Sequence, residues 1–371
     1  MSTYVEVHIL QSLPSNVLNR DGENRPKTAW YGNTPRMRVS SQAWKKAVRR
    51  EFTTMLDPDK LGLRSREFAG MIADRLHLDP DNENVIKAAI TVMGALGLPD
   101  DKERPGCTKA VQFFGEPEWR LIARVVGQAL DSSDPEQAIK AHTKALRKSI
   151  DMDHAVDIAL FGRMSASDEK NDTSKYVVDA ACQFAHAIGV NRTEVESDYF
   201  TTVDEAPNAP ASAMIGETGY VNGTVYRYAN INVQALERNL AHDQDAVRAT
   251  IDAFIRADAI SLPTGKTNSF APMTLPAFIL TTIRDDRPVN LVDAFEAPVK
   301  GTDVTRTASR LLTERCAALD EAFSMTPSGV YALTTMGADP ELDAALQRIN
   351  AQTCDSLDQL AARTVATTLG K

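Results

Sequence analysis

No apolar run in this 371-residue sequence is long enough to cross a bilayer, which argues against a helical membrane span. The opening stretch MSTYVEVHILQSLPSN has neither a basic n-region nor a cleavage signature, so no secretory leader is expected and the cytoplasm is the default location. Cysteine is scarce. Cys107, Cys182, Cys316 and Cys354 lie far apart and form no CxxC, which favours buried free thiols over a metal knot or a disulfide framework. Internal repeats and low-complexity tracts are missing too. What remains, 43% hydrophobic and 25% charged, is a globular chain able to bury a sizeable core and to divide into two or three substructures.

The usual catalytic signatures are also incomplete. LPTGKTNSF ends like a phosphate-binding loop, but Gly-x-x-x-x-Gly-Lys-Thr needs glycine at position 260, where Ile260 stands. Nucleotide hydrolysis is therefore not expected, and Lys266 is kept only as a candidate phosphate contact. There is no G-x-S-x-G elbow, and no cysteine in an obviously electropositive niche. The six histidines are scattered. His154, with Asp151, Asp153 and Asp157, is the one tight cluster, and if HAVDIALFGRM is a strand, alternation sends His154 away from Asp153 and Asp157. No metal and no cofactor are expected.

Charge is present but unevenly placed. The stretch 19–50, NRDGENRPKTAWYGNTPRMRVSSQAWKKAVRR, holds nine Lys or Arg against two acidic residues, a net +7 in a chain of net −9 that leaves −16 on the rest. An acidic remainder repels a polyanion that this segment attracts, so the pattern points to a local site.

A pass along the chain gives an interrupted α+β organisation. YVEVHIL reads as a strand, followed by a polar loop with Pro14, Gly22, Pro26, Gly32 and Pro35, a short strand at RMRV, and a helix. From about 64 to 150 the pattern is helical (SREFAGMIADRL, NVIKAAITVMGAL, EWRLIARVVGQAL, PEQAIKAHTKALRKSI) and reads as an inserted subdomain. Strand character returns at HAVDIALFGRM, AACQFAHAIGV, GTVYRYANINV and LPAFILTTI. Helices resume at DAVRATIDAFIRA, TRTASRLLTERCAALDEAF and ELDAALQRINAQTCDSLDQLAARTV.

Three constellations stand out. On the helix opening at Ser40-Ser41, Gln42, Lys45, Lys46 and Arg49 share one face, while Trp44, Val48, Phe52 and Met55 form an apolar stripe. The serines can cap the helix, whose N-terminus favours a phosphate, and Arg20, Lys27, Arg36 and Arg38 lie upstream. These donors suit several phosphates of a nucleic-acid strand, or else form a solvated basic face. In DIALFGRMSAS, Gly162 allows close backbone approach to a ligand, Arg163 can hold a phosphate, and Met164 can wedge against a base. The plain reading there is a strand-end arginine and a core methionine. The segment 191–222 is polar, carries prolines, is too long for a hairpin turn, and holds Tyr199, Phe200 and Val203, which either stack on bases or pin the loop down.

LNRD, RMRVSSQAWKKAVRR, VDIALFGRM, DYFTTVDE, TVYRYANINVQAL and LVDAFEAPV, in that order, resemble the CasC family, the backbone subunit of the type I-E CRISPR surveillance complex Cascade. The similarity runs from the first strand to about Val299. It implies an α+β fold with a modified RNA-recognition-motif (ferredoxin-like) palm in three parts, 1–58, 151–190 and 224–371. It also implies helical fingers at 59–150 and a thumb loop at 191–223. It implies a non-catalytic subunit that polymerises along CRISPR RNA and presents it to target DNA. Partners would be other copies of the chain, the large and small subunits, the CRISPR-RNA-processing endoribonuclease and the 5′-handle-binding subunit, with no membrane. By position, Arg20, Lys27, Ser40, Gln42, Lys45, Lys46 and Arg49 match RNA-backbone contacts. Arg163 and Met164 match a base-wedging palm loop, and Tyr199, Phe200 and Val203 match the thumb, with Tyr199 where some relatives have Trp. The alternative is a metal-dependent RNA-cleaving backbone subunit of a type III-like complex, using Asp153, Asp157 or Asp204.

Overall fold

A computed structural model describes residues 2–152, 154–164, 176–203 and 214–370. In chain order the elements to the middle of the chain are β1 (Tyr4–Asn16), β2 (Thr28–Tyr31), β3 (Thr34–Val39), α1 (Ser41–Met55), β4 (Gly62–Ser65), α2 (Phe68–Leu76), α3 (Glu83–Leu96), β5 (Gln112–Gly115), α4 (Glu116–Leu130), α5 (Pro135–Met152) and α6 (Val156–Phe161). Then come β6 (Cys182–Phe184), β7 (Ala187–Gly189), β8 (Glu196–Thr202), β9 (Met214–Asn232), α7 (Val233–Asn239), α8 (Gln244–Ile260), α9 (Thr267–Phe270), β10 (Phe278–Arg284), α10 (Val304–Phe323), β11 (Gly329–Thr334), α11 (Pro340–Arg348), β12 (Gln352–Thr353) and α12 (Leu357–Leu369). The fold is α+β, as expected. No helix among the described residues is long and apolar enough to cross a membrane.

The chain forms two compact units, the first comprising Met1–Glu51, Gln183–Asn232 and Ile251–Lys371. Its sheet runs β12-β11-β10-β1-β9-β7-β3-β2, with β6 and β8 also on β9, and the pairs along that path are antiparallel except for β11·β12. The apolar-polar alternation of YVEVHIL does mark a strand, but its polar side is not turned to water: Glu6 and His8 are fully buried. Glu6 accepts from the Tyr228 hydroxyl at 2.7 Å, the Thr282 hydroxyl at 2.6 Å, Arg284 Nε at 2.6 Å and the Val289 N–H at 2.6 Å, so the buried charge is multiply partnered. One face of the sheet packs Leu10, Tyr226, Phe278 and Leu280 with Leu312 and Cys316 of α10 and Leu342 of α11.

The second unit, Phe52–Cys182 with Val233–Thr250, is mainly helical. Ile72, Val92, Met93, Ile122 and Val126 recur at helical spacing and meet in one core around Trp119, whose ring lies 5.3 Å from both Phe68 and Phe114. A short antiparallel pair, β4·β5, interrupts the expected helical run.

Three expected elements differ. Residues 156–161 were expected as strand and are α6, every residue of which is buried. A helix with no solvent face carries no 3.6-residue signal, so its apolar run cannot be told from a strand. The C-terminal helix is split into α11 and α12 by a left-handed Asn350 (φ 52°) and β12. The segment 191–222 is not a loop throughout: β8 and the first part of β9 pair from Glu196↔Tyr220 to Thr202↔Met214, making a two-stranded ribbon.

Candidate nucleic-acid interface

Helix α1 opens at Ser40, whose Oγ accepts from the Ala43 N–H at 3.4 Å and whose own N–H donates to Asn19 Oδ1 at 2.9 Å. Ser40 and Ser41 are nearly buried, at 5% and 9% exposed, so the Ser40 hydroxyl serves its own helix. Trp44 is fully buried among Leu13, Met37, Val39 and Val225 of the sheet. Arg227, also fully buried, stacks its guanidinium 3.8 Å over the Trp44 ring while pairing with the buried Asp258 and donating to Gln11 Oε1 at 2.9 Å. With the apolar stripe anchored, Gln42 and Lys46 are exposed and Lys45 and Arg49 partly exposed on the other side.

The polar loop before β2 is an ordered structure. Asp21 Oδ1 accepts from the N–H groups of Glu23 and Arg25, each at 2.9 Å, and the Lys27 N–H donates to the Asn19 carbonyl at 2.9 Å. Arg20 is exposed and bonds Asn24, at the rim of a cleft of about 460 Å³ lined by Leu18, Asn19, Asp21 and Gly265. Asn19 therefore joins loop and helix entrance into one frame. Next to it, Arg38 Nη1 lies 3.1 Å from His186 Nδ1. Burial, and then the positive charges of Arg38 and Lys27, hold the His186 imidazole below its ordinary range. Arg36, by contrast, is fully buried and donates to the carbonyls of Gly189, Val190, Phe295 and Glu296 at 2.9–3.1 Å, so it is a structural brace and not a surface donor.

Every residue of β8 is exposed. Tyr199 (64%), Phe200 (40%) and Val203 (62%) sit on this ribbon, and across from Thr202 and Thr201 the other strand adds Met214 (56%) and Ile215 (63%). The Phe200 ring lies over Gly216, where a Cβ would come within 2.4 Å of it. Met214 and Ile215 were missed in the sequence, where only their apolar adjacency after a polar stretch could have marked them. At the ribbon's base the Tyr220 hydroxyl donates to Glu196 at 3.0 Å, its ring lies 5.9 Å from that of Phe270, and Lys266 Nζ donates to the Thr218 hydroxyl at 3.0 Å.

In the second unit the adjacent pair 163–164 divides sharply. Arg163 is 4% exposed and donates to the carbonyls of Tyr176 and Ile150, both at 2.7 Å, and of Phe113 at 3.3 Å, with Glu118 Oε1 also at 3.3 Å. Its side chain is turned inward and cannot hold a phosphate, contrary to expectation. Met164 is 95% exposed, which removes the core-methionine reading. The close approach at Gly162 (φ 78°) is to the chain itself, since a Cβ there would meet the Val178 carbonyl at 2.8 Å. Asp157 is 2% exposed and accepts from the Gly62 N–H at 2.8 Å. Asp153 and Asp204 lie outside the described residues.

The model of the CT1975-like protein family matches residues 5–363. The chain belongs to that family. A subunit of a solved CRISPR RNA-guided surveillance complex in a pre-nicking state is 31% identical to it and superposes with a TM-score of 0.82, over 99% of this chain and 100% of that one. A chain of a second CRISPR RNA-guided surveillance complex is 28% identical with a TM-score of 0.64, again over 99% and 100%. None of the curated proteins compared matches the chain. This CT1975-like chain therefore shares its fold over almost its whole length with chains of CRISPR RNA-guided surveillance complexes.

Proposed function

We propose that the chain is a non-catalytic, CRISPR-RNA-binding backbone subunit of a type I-E Cascade complex in the cytoplasm. Copies of it polymerise along the guide, beside the large and small subunits, the processing endoribonuclease and the 5′-handle-binding subunit. In this reading Arg20, Lys27, Gln42, Lys45, Lys46 and Arg49 follow the RNA backbone and leave sequence recognition to base pairing with target DNA. The palm, fingers and thumb division belongs to the same reading, with the ribbon as thumb and Met164 as the wedge. The observation that carries it is the ribbon: two strands that, among the described residues, expose five apolar side chains, a surface suited to a partner.

The experiment is assembly on guide RNA by a chain in which 197–219 is replaced by a short turn. The expected result is a folded subunit, native by circular dichroism, that fails to assemble at full copy number because each junction loses its clamp. Normal copy number with the shortened chain would overturn the proposal.

A further inference from the structure

The segment 261–270, between α8 and the end of α9, touches α1, the backbone ahead of Arg20 and the ribbon. The Leu262 carbonyl accepts from Arg50 of α1 at 3.2 Å. Gly265 lies so close to the 17–18 backbone that a Cβ would fall 2.4 Å from the Val17 carbonyl oxygen and 2.5 Å from that of Leu18, two residues before Arg20. Lys266 then turns left-handed (φ 48°), a conformation that residues with a side chain seldom adopt, and sends Nζ to Thr218 in the ribbon at 3.0 Å. Phe270 closes the segment against Tyr220, two rungs further down the ribbon.

We infer that this segment is a strap that sets the angle of the ribbon, and that Lys266 is a positioning residue rather than a phosphate ligand. β8 has no buried residue of its own, so the ribbon's direction depends on contacts at its base. The bonds of Tyr220 and Asn222 to Glu196 hold its two strands together, and contacts from the base to the rest of the unit include the Lys266–Thr218 bond, the Tyr220–Phe270 ring contact and Pro26 beside Gly219. Two of them come from the strap. The left-handed turn aims the Lys266 ammonium at a neutral hydroxyl, so its role here is a tether. The same strap grips α1 and the 17–18 backbone, which fixes the ribbon relative to the cations that meet the RNA. The consequence for assembly rests on the proposed backbone role, whereas the tether itself does not.

The test compares Lys266→Met, Lys266→Arg and Thr218→Val in the full-length chain. Hydrogen exchange of the ribbon amides, 196–202 and 214–220, is read on the free protein, and the salt dependence of affinity on a single-stranded guide RNA. Lys266→Met and Thr218→Val are expected to raise ribbon exchange alike, about 2- to 10-fold as for loss of one hydrogen bond, and their combination no further. Lys266→Arg, which still donates, restores protection, and the salt slope stays unchanged in all three. Unchanged ribbon exchange in Lys266→Met or Thr218→Val overturns the strap. A slope reduced by roughly 0.7 in Lys266→Met but not in Thr218→Val also overturns it, making Lys266 a phosphate contact. If no form of the subunit binds RNA, the backbone reading fails while the exchange comparison still decides the tether.

Discussion

Arg163 and Met164 follow one another and meet opposite surroundings, because the chain leaves α6 through a glycine and turns one side chain in and the next out. Arg163 gives its donors to three carbonyls and to the buried Glu118. Truncating one partner of a buried pair strands the other, so Arg163→Ala is expected to lower unfolding stability by about 3–5 kcal/mol in urea titration. Met164→Ala should stay within about 0.5 kcal/mol of the parent, since almost nothing packs on it. If it instead lowers affinity for guide RNA at unchanged stability, the exposed thioether meets RNA, as proposed.

At the scale of elements, α1 shows how a docked helix presents charge: Trp44 and Val48 go inside, and a basic edge stays out. Replacing Lys45, Lys46 and Arg49 together by Ala should reduce the slope of log affinity against log salt by about 2, roughly 0.7 for each phosphate contact on a single strand, with native circular dichroism. An unchanged slope would leave them as solvated surface. This helix was legible in the sequence because its two faces differ in chemistry at a 3.6-residue period. α6 was not, since Val156 to Phe161 are buried all round and the pattern lost its polar phase. The ribbon escaped for the opposite reason: a strand pair that buries nothing shows no alternation, so only Tyr199, Phe200 and Val203 announced it. Arg36 and Arg163 were read as surface cations because sequence gives the charge of a residue but not the carbonyls that will surround it.

For the molecule as a whole, charge and burial set how stability responds to pH. His8 is fully buried, and burial, then the nearby Arg284, push its pKa down to about 3. An unfolded chain takes up that proton near pH 6.5, so folded and unfolded states differ in bound protons between about pH 6.5 and 3. In that window the unfolded state binds more, and stability falls as pH falls, by up to about 1.4 kcal/mol per pH unit. His8→Gln removes this contribution. The variant loses the contact at 2.8 Å with the Tyr226 hydroxyl, so it starts weaker at pH 7, and its deficit should shrink as pH drops toward 4. Burial raises the pKa of Glu6 and acts in the opposite sense, which is why the difference between the two proteins in chemical denaturation is the measurement. A deficit that grows with acidity would show that His8 is protonated in the folded state.

The pairing of β1 also has a consequence for how the protein is made. Its neighbours on both sides, β9 and β10, lie more than 200 positions later in the chain, from Asn16↔Val221 to Leu10↔Phe278. At about 5–20 residues per second, a ribosome releases β1 on the order of tens of seconds before either neighbour exists. Through that interval an apolar strand with two unpaired edges travels with the nascent chain, while most of the second unit, 52–182, has already emerged. The central sheet can close only after β10 has been made, so the time between making β1 and making β10 is when this chain most needs shielding from aggregation.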